Sequence, residues 1–379
     1  MAIDEDIPED VLSEILSRLP VKFLLRFKSV SKYWYSLIQN PSFISLHHNR
    51  SPKNESFLVK RLVKSASGFA LSLVSSETPI LDLDIPFGGQ PASCLHLCGS
   101  SNGVVCLSNS STKIIMLCNP AMREFRLLPR SPLHTWHTSH LGFAFDPKTN
   151  DYKVLRVAAR SECELMTFTF TFVDGRVEIY DMSTDTWREI VTVVPKEILQ
   201  CTDNWREVPK EILQYSQHSC STWLNGVFYW VAADRNGRGE IIAFRMSDEL
   251  FERVFLPEDV RINPWSSLSI LGDSLALVTV QFGSTGSCLE IWVRDGNGVK
   301  DPWNKRYGIG PILGHYDPLG FRQIGELLLW RGNVCKMVFY NLDSHTINEY
   351  GEVYDDLILV DQLHVLFYTV NLVSVRRRV

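Results

Sequence analysis

A turn followed by an apolar strand returns again and again after residue 95, and this recurrence limits the fold more than any other feature of the chain. The unit opens with Ser101-Asn102-Gly103 before Val104-Val105-Cys106-Leu107, and again with Leu224-Asn225-Gly226 before Val227-Phe228-Tyr229-Trp230. Gly272-Asp273 before Ser274-Leu275-Ala276-Leu277 and Gly325 before Glu326-Leu327-Leu328-Leu329-Trp330 repeat it. Each unit continues as a strand, a polar turn and a strand with an aromatic residue, ending at Phe125, Trp187, Phe251, Trp303 and Tyr350 in turn. Asn225, Gly272 and Gly325 lie 47 and 53 residues apart, the length of a four-stranded β-propeller blade. One blade cannot bury both of its faces, so such units stack, with the outer aromatic residue between neighbours. Six hairpin sets fit better than five or seven, and a pair of β-sandwiches is the alternative.

The start of the chain follows a different period. Val11, Ile15 and Leu19 recur every fourth residue, and Leu12 and Leu16 widen the stripe. Pro8 suits a first helical turn, Glu9 and Asp10 suit its positive end, and Pro20 ends it. A second apolar set, Val21, Leu24, Leu25 and Phe27, precedes a third, Tyr33, Trp34, Leu37 and Ile38. Ser31 can cap the third helix, and Asn40-Pro41 stops it. Three helices this short bury too little to offset the entropy of ordering them, so part of their apolar surface is expected to meet a partner. Six acids and no base lie in residues 1–17, whereas residues 15–54 hold no acid and include Arg18, Lys22, Arg26, Lys28 and Lys32. That suits a partner with an acidic surface.

These residues also carry a resemblance. Ile7-Pro8-Glu9-Asp10, Ile15-Leu16-Ser17-Arg18-Leu19-Pro20-Val21-Lys22, Leu24, Arg26 through Lys32 and Trp34 resemble an F-box, with Ile7 where that family usually has Leu. The resemblance implies docking onto the adaptor subunit of a cullin-based SCF ubiquitin ligase, through Ile7, Pro8, Ile15, Leu19, Pro20, Leu24, Val30 and Trp34. The segments Leu117 to Pro129 and Gly142 to Val154 resemble the F-box-associated domain of plant F-box and kelch-type proteins, including the S-locus F-box group. Met122 stands where that family commonly has Thr, on a turn where neither residue is demanding.

The expectation is therefore α+β: a three-helix F-box at 1–46, a connection at 47–56 and an all-β propeller of six blades at 57–379. By resemblance the chain is the substrate receptor of an SCF ligase, itself without catalysis, bringing a target protein to ubiquitination and proteasomal degradation. The S-locus likeness would make that target a stylar ribonuclease in self-incompatibility. The competing reading is a lectin-like or hydrolytic propeller with an incidental helical cap.

Net charge −5 and the lack of a long basic stripe argue against nucleic acid. No apolar run long enough to span a bilayer occurs, and Asp4, Glu5 and Asp6 stand where a secretory signal would be basic, so a cytoplasmic or nuclear protein is expected. Nine cysteines, an odd number, fit reduced thiols there.

No phosphate loop, nucleophile elbow or carboxylate pair is present, and no cofactor is expected. Cys94, His96 and Cys98 alternate along a strand and read as one face rather than as a metal site. His134, His137 and His140 surround Trp136 in a Pro-flanked loop, read as a recognition loop. With Arg235, Arg238, Trp265 and Asp295, the residues His134, Trp136 and His137 form the expected target face, since aromatic and Arg side chains dominate interfaces. Finally, Thr184 to Gln200 is partly duplicated in Thr202 to Gln214. Only one copy fits an outer strand, and Cys201 to Leu213 is expected to be the extruded, more mobile one.

Overall fold

A computed structural model gives the fold and describes residues 8–50, 56–63, 68–75, 81–83, 95–109, 112–164, 169–196, 198, 221–233, 239–263, 265–284, 286–296, 301–323, 325–332, 334, 336–349 and 364–376. Four helices lead: α1 (Glu9–Leu16), α2 (Val21–Phe27), α3 (Lys32–Gln39) and α4 (Pro41–Arg50). Pro8 and Pro20 stand just before α1 and α2 with extended ψ, and the Ser31 hydroxyl caps α3 by accepting from the Trp34 N–H at 3.1 Å. α1 ends at Leu16, earlier than Pro20, and the turn is closed by N–H groups of Arg18 and Leu19 donating to the carbonyls of Ile15 and Leu16.

The fourth helix corrects the expectation of three. Asn40 leaves α3 in an extended conformation, and its side chain accepts from the Ser42 N–H at 2.9 Å, so Asn40-Pro41 ends one helix and starts the next. Residues 47–50 belong to α4 and not to a connection. α4 is fastened to α1 by the Arg50 guanidinium, which reaches the Glu14 carboxylate at 2.5 Å and the Ser17 hydroxyl at 2.6 Å. The Arg50 bond, with a second from the Arg18 guanidinium at 2.8 Å, holds the Glu14 carboxyl down at about 2. The ring of His47 meets the Leu19 carbonyl at 3.0 Å.

Among the described residues, six four-stranded antiparallel sheets follow. The first contains β1 (Ser56–Val63), β2 (Gly68–Ser75) and β3 (Leu81–Leu83); the second, β4 (Leu95–Ser101), β5 (Val104–Asn109), β6 (Ile114–Asn119) and β7 (Glu124–Leu127). The third has β8 (His137–Asp146), β9 (Asp151–Glu164), β10 (Thr169–Asp181) and β11 (Thr186–Ile190); the fourth, β12 (Thr222–Leu224), β13 (Val227–Ala233), β14 (Gly239–Arg245) and β15 (Leu250–Val254). The fifth has β16 (Ser267–Leu271), β17 (Ser274–Gly283), β18 (Gly286–Arg294) and β19 (Trp303–Ile312); the sixth, β20 (Tyr316–Gln323), β21 (Glu326–Arg331), β22 (Lys336–Asn341) and β23 (Ile347–Glu349). The last strand, β24 (His364–Tyr368), returns to pair with β1 and completes the first blade. The architecture is a six-bladed β-propeller.

The stacking logic is visible in single strands. In β13, Val227 and Tyr229 pack with Leu275 and Leu277 of the fifth blade, while Phe228 and Trp230 pack with Leu155 and Ile179 of the third. Alternation sends successive side chains to opposite faces, and each face meets a different neighbour, so every residue is apolar without breaking the period of two. Six apolar clusters fill the six junctions between blades, including the one from sixth to first around Phe57, Leu328 and Phe339. The outer aromatic residues Phe125, Trp187, Phe251 and Trp303 pack at these junctions as the sequence implied. Tyr350 lies outside the described residues. The indoles of Trp187 and Trp303 also donate to the carbonyls of Pro129 and Phe255, just past the outer strand of the preceding blade.

Asn102-Gly103 and Asn225-Gly226 both turn with positive φ at the two residues (43° and 76°; 49° and 85°), as a two-residue hairpin requires. Thr186 to Ile190 forms β11, so the first copy of the duplicated segment supplies an outer strand, and Cys201 to Leu213 lies outside the described residues.

Candidate functional site

Antiparallel order sorts the loops to two ends of the ring. Turns joining the first strand to the second and the third to the fourth lie at one end; turns joining second to third, and the links between blades, lie at the other. The helices sit at the first end. Their core of Leu12, Leu16, Val21, Leu24, Leu37, Ile38 and Phe43 takes in Leu372 and touches Ala121, Met122 and Val370. Met122 thus has a role that its turn alone did not suggest: it is part of the joint.

That joint is built on Asn119, fully buried. Its amide donates to the carbonyls of Asn371 and Val373 at 3.0 and 2.8 Å, and its oxygen accepts from the Tyr368 hydroxyl at 3.0 Å. Tyr368 in turn accepts from the Ala121 N–H at 3.1 Å, and Glu124 accepts from the Ser374 hydroxyl and the Val375 N–H. The segment after β24 is thereby laced to the second blade beneath the helices.

On the helical unit, the stripe read from the sequence divides in two. Leu12 and Leu16 are buried, but Val11 (44%) and Ile15 (50%), one turn apart on α1, remain exposed, as do Phe23 (45%) and Val30 (64%). Pro8 and Pro20 are exposed. Leu19 and Trp34 are half-buried, the latter edge-on against Phe27 at 5.2 Å. Leu24 is a correction: it is wholly buried in the helical core and supports the face from within. Ile7 lies outside the described residues. Arg18, Lys22, Arg26 and Lys32 are exposed around this surface. The sequence reading missed Phe23, whose position three residues after Pro20 puts it on the outer side of α2.

The expected target face is only partly assembled. His134 and Trp136 lie on the link from second to third blade, and Trp265 on the link from fourth to fifth, all at the end away from the helices. Asp295 lies at the helical end, beyond β18, where it accepts from the Asn304 amide at 2.5 Å, so it cannot share a face with the others. His137 begins β8 and its side chain lies outside the described residues, as do Arg235 and Arg238. His140 is not in a loop: it is buried in β8, edge-on to Trp230 at 6.2 Å, and burial pushes its imidazole down to about 4. Trp265 stands edge-on to Phe282 at 4.9 Å, and Phe282 stacks on His315 at 4.1 Å.

His96 is likewise pushed down to about 4, by burial and then by the nearby Lys60 charge. A bulge at Cys98 breaks the simple alternation expected of that strand, and Cys98 donates to the Ser108 hydroxyl at 3.2 Å. Among the described residues, no three His, Cys, Asp or Glu side chains gather as metal ligands.

With this geometry in view, comparison with known proteins is specific. The F-box domain matches residues 5–46, and the F-box associated beta propeller domain matches residues 57–351. The chain belongs to the F-box proteins. Relatives in Arabidopsis thaliana include F-box protein CPR1, 26% identical over 89% of this chain and 82% of its own length. F-box protein At3g07870 is 26% identical over 86% and 77%, and F-box/kelch-repeat protein At3g17530 is 25% identical over 76% and 71%. These likenesses support a plant F-box protein and do not single out the S-locus group. Membership implies binding to the adaptor of an SCF ligase and through it a cullin, in a general substrate-receptor role. F-box proteins typically act as non-catalytic adaptors.

Proposed function

We propose that this F-box protein grips the SCF adaptor through Pro8, Val11, Ile15, Leu19, Pro20, Phe23, Val30 and Trp34, and presents a target protein at the far end of the ring for ubiquitination and degradation. The carrying observation is the exposure of Val11, Ile15, Phe23 and Val30 beside the packed helical core. At about half exposure, each of these four large apolar side chains forgoes roughly half of the 1.5–3 kcal/mol that full burial gives, a loss that a docked partner would recover. The bases around them favour an acidic adaptor surface and fast encounter.

The chain then acts by proximity. A rigid ring laced to the helices fixes the distance between target and ligase, which raises the effective concentration of target lysines near activated ubiquitin. The proposed setting is the cytoplasm or nucleus, where Cys98, Cys106, Cys118 and Cys288, which form no disulfide here, would stay reduced.

Co-expression of the full chain with the adaptor tests the reading. Ile15→Asp and Val30→Asp should each abolish co-purification while shifting the melting temperature little, because both side chains already face water. Retention of the adaptor by the double variant, or its failure to bind the unaltered chain, would refute the assignment.

A further inference from the structure

We infer that the rim around the Ser131–Trp136 loop binds an acidic segment of a target protein. This rests on the receptor reading and gives it a site and a ligand chemistry.

The loop is held from beneath by a buried ion pair. Arg156, 2% exposed, lies directly opposite Glu178 across β9 and β10 and bonds its carboxylate at 2.6 Å. The same guanidinium donates to the Ser131 hydroxyl at 2.7 Å and to the carbonyls of Leu133 and Trp136 at 3.1 and 2.9 Å. Ser131 also donates to Glu178. A buried pair of this kind brings little net stability, because desolvation consumes most of its attraction. What it does here is fix three points of a surface loop in one conformation.

Above that base the side chains are cationic and aromatic. The Trp136 ring has the Arg160 and Arg176 guanidinium carbons at 5.8 and 5.1 Å from its centre, and Lys113 donates to the Thr135 carbonyl at 3.2 Å. Arg130 and His134 are exposed on the loop itself. Arg176 is shared with Asp174 at 3.6 Å and Glu189 at 3.0 Å, but Arg130 and Arg160 have no ion pair among the described residues. Lys113, Arg130, Arg160 and Arg176 outnumber Asp174 and Glu189 by two, on a chain whose net charge is −5. Among the described side chains of this rim the local sign is inverted.

A carboxylate-bearing segment fits this arrangement. Arg forks bind carboxylates in two-point geometry, Trp136 supplies a flat apolar anchor, and the loop is already ordered, so binding costs little conformational entropy. Asp174 and Glu189 would repel the evenly spaced phosphates of a nucleic acid, whereas a peptide can place its acids away from them. One Trp is also a short platform for stacked bases.

The test uses the full chain co-purified with the adaptor and three fluorescent probes: a degenerate eight-residue peptide pool rich in Asp and Glu, a matched pool rich in Lys, and oligouridylate. Binding of the acidic pool alone, weakened by salt, is expected. Arg160→Glu or Lys113→Glu, both on the surface, should weaken it about tenfold, as should Trp136→Ala, while adaptor co-purification is unchanged. Equal binding of both peptide pools, preference for oligouridylate, or full acidic-pool binding by Arg160→Glu would overturn the inference. Acidic-pool binding by a chain that fails to hold the adaptor would support this site and break the receptor reading instead.

Discussion

The ring and the helices treat apolar surface in opposite ways. Every blade junction is filled, and strands such as β13 are buried on both faces, whereas α1 buries Leu12 and Leu16 and leaves Val11 and Ile15 in water. Both regions are built from the same residue types. The difference is that a blade always has a neighbour to cover its second face, while the helices have the ring on one side only. Side chains such as Phe255 and Leu313 stay exposed on the links of the ring, but the open apolar surface of the helices borders a packed core, and it is there that the proposed partner would dock.

The sharpest way to break that contrast is to exchange the two kinds of leucine-like position. Leu24→Ala removes a side chain at the centre of the helical core and should cost about 2–5 kcal/mol, the usual range for a buried cavity. Because that core is shared with Ala121, Met122, Val370 and Leu372, hydrogen exchange should quicken in α1 to α4 and in residues 369–376, but not in β13 or β17. Uniform quickening throughout the ring would mean that helices and blades unfold as one unit.

A second comparison sits at the joint. Gly103 and Gly226 occupy the same place in equivalent hairpins with similar positive φ. A Cβ on Gly226 meets nothing within 4 Å, while one on Gly103 falls 2.3 Å from the Cβ of Asn371 and 2.9 Å from the Thr369 carbonyl. Gly226→Ala should cost about 1–2 kcal/mol, from the left-handed backbone alone. Gly103→Ala carries the same cost and also pushes the C-terminal segment off Asn119, so its melting temperature should fall clearly further. Equal shifts in thermal denaturation would show that this lacing contributes nothing.

Much of this organisation was legible in the sequence. Asn-Gly turns before apolar strands announce hairpins because few other residues accept two positive φ values, and their spacing announces blades. Asn40-Pro41 was read as a stop, yet the same pair is a good helix start, and only the Ser42 bond to Asn40 decides between them. The burial of Leu24 was not legible, since a seven-residue helix shows no clear period and its inner face depends on what it packs against. Arg156 and Glu178 left a faint signal: each is a charge flanked on both sides by apolar residues, Leu155 and Val157 for one and Val177 and Ile179 for the other, which suggests a buried pair but not the loop it holds. Asp295 was misplaced because loop chemistry says nothing of which end of a ring the loop occupies.

Acid offers the mildest test, through two buried histidines that differ in their partners. In the helices, burial lowers His47, but the bond to the Leu19 carbonyl works the other way. In the ring, His140 Nδ1 has no partner among the described residues, Trp230 stands edge-on to the imidazole, and burial pushes that imidazole down to about 4. Between an ordinary value of 6.5 and about 4, the unfolded chain takes up a proton that folded His140 refuses, so stability falls as pH falls across that window and levels off below it. At pH 5 the loss should reach roughly 2 kcal/mol from this residue. His140→Phe, which keeps a ring against Trp230 and removes the titration, should flatten the dependence of the melting temperature between pH 7 and pH 5. If the slope persists in this variant and in a companion His96→Phe variant, the acid sensitivity lies outside these two imidazoles, and the ring is not where acid acts first.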